Sequence, residues 1–257
     1  MTTHRARVLT FIFFAMTIAT VATAGEAKLY VAPYFQASQL TADGRVSGSA
    51  GGTDFNLEET LGVDPAQSLA GLDLFVKFLA MRFQASYNKD ESSGSERLAE
   101  DLEFEDTVFG TGERVETDLK LERYEGLLGF DFGALVVNAG FLAGVQVVNL
   151  DSTIASETGG LEEKSLHLPM PVIGATLGIH PMDKLAIHAK VSGMAATVSD
   201  IDAKLFDGFV ALDYYFLPKF GLTVGFKSFI LDAVDEDEGN EVDMNQTGPY
   251  AGLSFHL

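Results

Sequence analysis

Most of the chain alternates apolar and polar side chains with a period of two, the mark of strands with two unlike faces. Leu72, Leu74, Val76 and Phe78 alternate with Gly71, Asp73, Phe75 and Lys77. Met81, Phe83, Ala85 and Tyr87 alternate with Arg82, Gln84, Ser86 and Asn88. The same rhythm recurs at 135–147, 185–192, 206–216, 222–227 and 250–257. One face is apolar and rich in Phe and Tyr, while the other carries Gly, Asp, Lys, Arg, His and Asn. A soluble sandwich also alternates, but its strands are nearer five or six residues. Long strands with an aromatic-rich outer face and a polar inner face fit a transmembrane barrel instead.

The connections support that reading, because they alternate short and long. Short turns fall near 78–80, 132–134, 180–183 and 217–219, and long connections near 39–66, 91–113 and 232–243. Shorter outer connections fall near 152–162 and 200–204. The strands between them lie near 27–38, 67–78, 80–90, 114–132, 134–151, 163–179, 184–199, 204–217, 219–231 and 247–257. The predicted fold is therefore an all-β, closed antiparallel transmembrane barrel of about ten strands over residues 25–257. Merging or adding a hairpin would give eight or twelve, with an extra hairpin expected at 96–109 or 40–50.

Three segments break the rhythm. In 114–132 the apolar parity switches between Leu121 and Tyr124, which predicts a bulge near Glu122 or Arg123, or a first half standing beyond the bilayer. Pro169 and Pro171 cannot donate to a ladder, so 166–177 should contain a local irregularity or a slight parting of two strands. Phe55, Leu57 and Leu61 suggest a strand start and a helical turn packed on the barrel rim.

The first 24 residues read as a secretory signal peptide. A basic start at His4, Arg5 and Arg7 precedes an apolar stretch, and Ala22-Thr23-Ala24 forms a small-residue cleavage site. Cleavage would take the formal net charge from −20 to −22. That charge argues against nucleic-acid binding, which needs a basic surface. Yet 47% of the residues are hydrophobic, so the acid and apolar characters must be segregated in space. Absence of Cys excludes disulfides, thiol nucleophiles and Cys-ligated metals.

The mature chain resembles outer-membrane β-barrel proteins of Gram-negative bacteria. The resemblance rests on the signal, the alternating strands and the ending Gly248-Pro249-Tyr250-Ala251-Gly252-Leu253-Ser254-Phe255-His256-Leu257. That ending is similar to the terminal strand read by the barrel-assembly machinery, though it closes on Leu257 rather than Phe. Leu57-Glu58-Glu59-Thr60-Leu61-Gly62 and Pro169-Met170-Pro171 are similar to a largely uncharacterised proteobacterial barrel family. The resemblance implies a monomer in outer-membrane lipid and lipopolysaccharide, and no specific activity.

Candidate chemistry is sparse. Asp73, Lys77, Arg82, Arg123, Glu125, Asp131, His188, Lys190, Asp207, Asp213 and Lys227 fall on inward positions. Both signs are present, so they are expected to pair in a side-chain-filled polar lumen, or else to line a narrow passage for small solutes or ions. Glu163, Ser165 and His167 share one face of a strand near the outer rim, the one set to test for lipid hydrolysis. The usual reading of such a set is a polar strand end at the membrane interface. No segment resembles the motifs of ten-stranded outer-membrane proteases. Surplus acid is expected in external loops, where Asp235, Asp237, Glu238 and Glu241 are weak candidates for Ca²⁺ or Mg²⁺. Charge runs are more often simply solvated.

Overall fold

A computed structural model describes residues 27–47, 53–104, 107–134, 136–198, 201–235, 237 and 239–256. The expected signal peptide, residues 1–24, lies outside them. The strands are β1 (Ala27–Val46), β2 (Thr53–Asn56), β3 (Ala66–Phe78), β4 (Met81–Arg97), β5 (Leu102–Phe104), β6 (Thr107–Phe109) and β7 (Arg114–Ala134). They continue with β8 (Val137–Ser156), β9 (Leu161–Met182), β10 (Leu185–Val198), β11 (Ile201–Leu217), β12 (Phe220–Asp235) and β13 (Asn240–His256). Ten of them pair in the order β1-β3-β4-β7-β8-β9-β10-β11-β12-β13, all antiparallel. A β13–β1 ladder running from Tyr30↔His256 to Arg45↔Glu241 closes the wall. Closure matters because hydrocarbon offers no partner to a free strand edge.

The short turns all lie at one end of the barrel, between Phe78 and Met81, Ala134 and Val137, Met182 and Leu185, and Leu217 and Phe220. At the other end β1 runs on to Val46 and β13 already starts at Asn240. The predicted long connections at 39–66, 91–113 and 232–243 are therefore shorter than the sequence suggested. Much of their acid lies on strands: Asp232 and Asp235 on β12, Glu241 and Asp243 on β13. Alternation persists there with polar residues outward, so these stretches lacked the apolar face that marks a membrane strand.

That difference divides the barrel into two storeys. In the lower storey the outward residues are apolar, with Phe35 72%, Phe141 67%, Phe130 63% and Ile173 62% exposed. In the upper storey the pattern inverts. Glu116, Asp118, Lys120 and Glu122 point outward on β7, while Val115, Thr117, Leu119 and Leu121 point inward and are buried. Leu40 and Ala42 on β1, Val148 and Ile154 on β8, Leu168 and Met170 on β9, Leu205 on β11, Leu231 on β12 and Met244 on β13 complete this interior. The upper storey is thus built like a water-soluble barrel, with polar groups hydrated and apolar ones removed from water.

This inversion explains the parity switch in 114–132. No bulge is present near Glu122 or Arg123; β7 pairs without a register shift to β4 from Met81↔Phe130 to Arg97↔Arg114 and to β8 from Val115↔Ser156 to Ala134↔Val137. The apolar face changes sides because the solvent changes, from lipid below to water above.

Loops roof the upper storey. Asn56 Oδ1 accepts the backbone N–H groups of Glu58 and Glu59, starting a turn that buries Leu57 and Leu61 in the apolar interior. This turn lies on β4 through the Val63↔Gly94 bridge, where a Cβ on Gly94 would come within 2.5 Å of the Leu61 carbonyl oxygen. The hairpin of β5 and β6 adds Leu102, Phe104 and Phe109 to the same core. The twelve-stranded alternative would have put an extra wall hairpin at 96–109 or 40–50; the hairpin found in the first stretch is a separate two-stranded sheet.

Cysteine probes in a Cys-free chain can test the two storeys. Leu212→Cys should resist a water-soluble maleimide in vesicles, and Lys120→Cys should react at once. Equal labelling of both would contradict the assignment.

Candidate functional site

Alternation on the lower strands projects a set of charged side chains into the lumen, and the fold gives each of them a partner. Lys190 sits between Glu125 (2.6 Å) and Asp207 (2.9 Å), with all three side chains largely withdrawn from solvent. Ser192 donates to the second Glu125 oxygen at 3.0 Å. Arg123 approaches Asp207 at 3.7 Å, donates to Gln246 at 2.8 Å, and lies 4.0 Å from the centre of the Phe229 ring. Gln246 in turn donates to Asp90 at 2.6 Å. Lys227 meets Asp73 at 2.7 Å and lies over the rings of Tyr34, Phe209 and Tyr250. Lys77 and Arg82 share Asp131 at 3.0 and 3.4 Å. Buried charges are tolerated when paired in this way.

Toward the short-turn end, Asp213 is the hub of a second group. His188 Nε2 lies 3.1 Å from it, and the Tyr215 hydroxyl donates to it at 3.0 Å. Thr223 also donates to it. His256 Nε2 lies 2.9 Å from the Tyr215 hydroxyl, and the His180 ring meets that of His188 edge-on. All eleven predicted lumen residues therefore belong to this network.

Sequence reasoning missed several of its members. Asp90, Gln246, Tyr30, Tyr34 and Gln36 are buried on the inward face. Asp90 and Gln246 lie where loops were expected or at their edge, and Tyr30 and Tyr34 lie on a strand whose parity was not assigned. Counting the same parity outward along β4 and β13 would have found the first two.

Above this network the interior is apolar rather than polar, contrary to the expectation of a polar lumen throughout. Among the described residues, the cavities there and below are small. One of about 50 Å³ lies among Leu57, Leu61, Phe104, Leu119, Ile154 and Met244. Others of about 30 and 10 Å³ lie within the charged network. Such volumes hold a few waters at most.

Glu163, Ser165 and His167 point outward near the top of β9 and are exposed. Ser165 donates to Asp151 at 2.8 Å, and His167 Nδ1 bonds to Asn149, both across the β8–β9 ladder. In that arrangement the Ser165 proton goes to a carboxylate rather than to His167. At the β12–β13 turn, the Asp237 N–H bonds to an Asp235 carboxylate oxygen at 3.1 Å. Glu238 lies outside the described residues. Among those described, no three acidic or His side chains converge on a common metal position.

No family model matches the chain, and no curated protein does either. Among solved structures, the outer-membrane protease OmpT of Escherichia coli superposes with a TM-score of 0.55. It shares 11% identity, over 90% of this chain and 97% of that one. At that identity the likeness speaks for the fold, and it joins the closed wall and the apolar belt. The chain is an outer-membrane-type β-barrel. Weaker likenesses are to Ail of Yersinia pestis (TM-score 0.40, 13% identity, 90% and 99% covered) and Neisserial surface protein A (0.36, 11%, 88% and 96%). In outer-membrane barrels generally the short turns face the periplasm, and by that rule the charged upper storey would stand outside the cell.

Proposed function

We propose that this barrel is a closed envelope protein that does not conduct solutes. The observation carrying this reading is the apolar core across the upper storey, roofed by Leu57, Leu61, Phe104 and Phe109. Ions do not cross a dry apolar constriction readily. Below it, the lumen charges neutralise one another and leave no unbroken field of one sign to draw an ion through.

The test is planar-bilayer recording on the refolded barrel. A silent bilayer at saturating protein is the expected result; steady unitary currents would overturn the closed reading in favour of a narrow channel. The outward Ser165 and His167 keep lipid modification as a second reading, since they lie where lipid headgroups meet the wall. Mass spectrometry of phospholipid and lipid A incubated with the protein should show no product, and a product lost in His167→Ala would establish the enzyme. Lipopolysaccharide phosphates bridged to the acidic upper wall by Ca²⁺ or Mg²⁺ are compatible with either.

A further inference from the structure

At the rim of the wall, strands run on past the end of a neighbour's ladder, and the fold treats their free edges differently. β1 continues beyond its last pair with β3, Gln39↔Ala66, and is covered by β2 from Asp43↔Asn56 to Val46↔Thr53. β4 continues beyond its last pair with β3, Ala70↔Lys89, and is met by Val63 at Gly94. β9 has no such cover. Its ladder with β10 ends at Gly193↔Ile173, and continued in that register β10 would bring its last residue, Val198, opposite Leu168. β9 runs on to Leu161, paired only on its other side, with β8 up to Ala155↔Leu161. Among the described residues, Glu163, Ser165 and His167 thus stand beyond the end of β10.

Their backbone groups face that open side. The β8–β9 ladder runs unbroken through Val145↔Pro171 and Val147↔Pro169. A proline has no N–H, so both proline nitrogens must face away from β8. Backbone groups alternate sides along a strand, so the N–H and C=O groups of Glu163, Ser165 and His167 face away from β8 as well. Those of Lys164 and Leu166 face β8, as the bond from the Ser152 hydroxyl to the Lys164 carbonyl at 3.3 Å requires. Pro169 and Pro171 cannot complete pairs with β10, which keeps the two strands from closing over this edge. The β5–β6 hairpin meets β9 from the inner face, where Thr107 donates to Glu162, and leaves the outer edge clear.

The surroundings of the edge are acidic. Glu163 is exposed on it, and Asp151, which accepts from Ser165 at 2.8 Å, is exposed on β8 beside it. Asp202 is exposed at the tip of the β10–β11 hairpin across the gap. Glu116 and Asp118 extend the same outer surface on β7.

We propose that the free edge of β9 at Glu163, Ser165 and His167 binds an extended basic peptide by strand addition. An uncovered edge is a template for a further strand, whose main chain supplies the partners that the wall lacks. Cross-strand neighbours share a face, so Lys or Arg at alternate peptide positions would lie opposite Glu163 and Ser165, beside Asp151. The intervening peptide residues would point inward over Leu166. This goes beyond the closed reading above, since peptide binding and ion conductance are separate measurements.

The probe is a short peptide alternating Lys and Val, added to the refolded barrel in phosphatidylcholine nanodiscs, whose neutral lipid does not compete for it. Folding of each variant is checked by gel mobility before and after heating. We expect saturable binding that slows hydrogen exchange at the Glu163, Ser165 and His167 amides, while those of Lys164 and Leu166 are slow with or without peptide. Methylating the Lys backbone nitrogens should abolish binding, whereas methylating those of Val should spare it. Ser165→Pro removes an edge donor without touching the β8 ladder and should weaken binding about tenfold. If that variant does not fold, His167→Pro replaces it. Glu163→Lys should weaken binding too, and added salt should do the same to the unaltered protein. Equal loss from both methylations, or full binding to the proline variant, would reduce the contact to charge alone and overturn the proposal. Slow exchange at the three edge amides in the free protein overturns it as well; if a cross-linked dimer accompanies that result, the edge belongs to a second copy.

Discussion

Lys190→Met should cost the barrel about 3–5 kcal/mol, the usual penalty for removing one partner of a buried ion group. The substitution leaves Glu125 without its cation and Asp207 with only the longer Arg123 contact. Equilibrium urea unfolding in vesicles, followed by tyrosine fluorescence or gel mobility, reads the change. Pairing the substitution with Glu125→Gln should recover much of the loss, because the stranded charge is removed with it. If the single and double variants are equally destabilised, the ion pair is not the source of the cost. A loss below about 1 kcal/mol would mean that water reaches the site and screens it as at a surface.

The second large effect is expected at Phe229, which joins the two storeys. Its ring is buried to 1% exposure in the apolar core, and Arg123 lies over its face. Phe229→Ala should cost about 3–5 kcal/mol through the lost transfer energy and the cavity left behind. Loss of the cation–π contact adds to this. Phe229→Leu, which keeps most of the volume but not the π face, should cost clearly less. The same unfolding measurement separates them, and near-equal costs would show that the ring's contact with Arg123, rather than its volume, dominates.

The lower storey was legible because lipid imposes a strict rule on every outward position. Leu72, Leu74 and Val76, or Val210 and Leu212, read as one face without any knowledge of neighbours. Strand number and the position of the short turns followed. The upper storey was hidden because its outward residues are polar, so Asp232, Glu241 and Asp243 looked like loop. Its signature was present as the shift from Leu119 and Leu121 to Tyr124 and Leu128, which the sequence left open between a bulge and a first half standing beyond the bilayer. A change of solvent along one strand produces the same parity switch with no change in backbone. Pro169 and Pro171 were read as a disturbance in the ladder, and the parting of β9 from β10 is that disturbance. Partners within the lumen could not be read, because which strand faces which across a barrel depends on closure and register.

The length of the wall has a consequence for what meets this protein from outside. β9 has 22 residues. At roughly 3.3 Å per residue and a tilt near 40°, such a strand rises about 55 Å, while the apolar band of an outer-membrane barrel is about 25 Å tall. Along β9, the longest strand, more than half of the wall thus stands clear of the hydrocarbon. An antibody or a phage fibre can grip rigid, hydrogen-bonded sheet rather than pliable loop tips, and mutating a single loop would not free the cell from such a ligand.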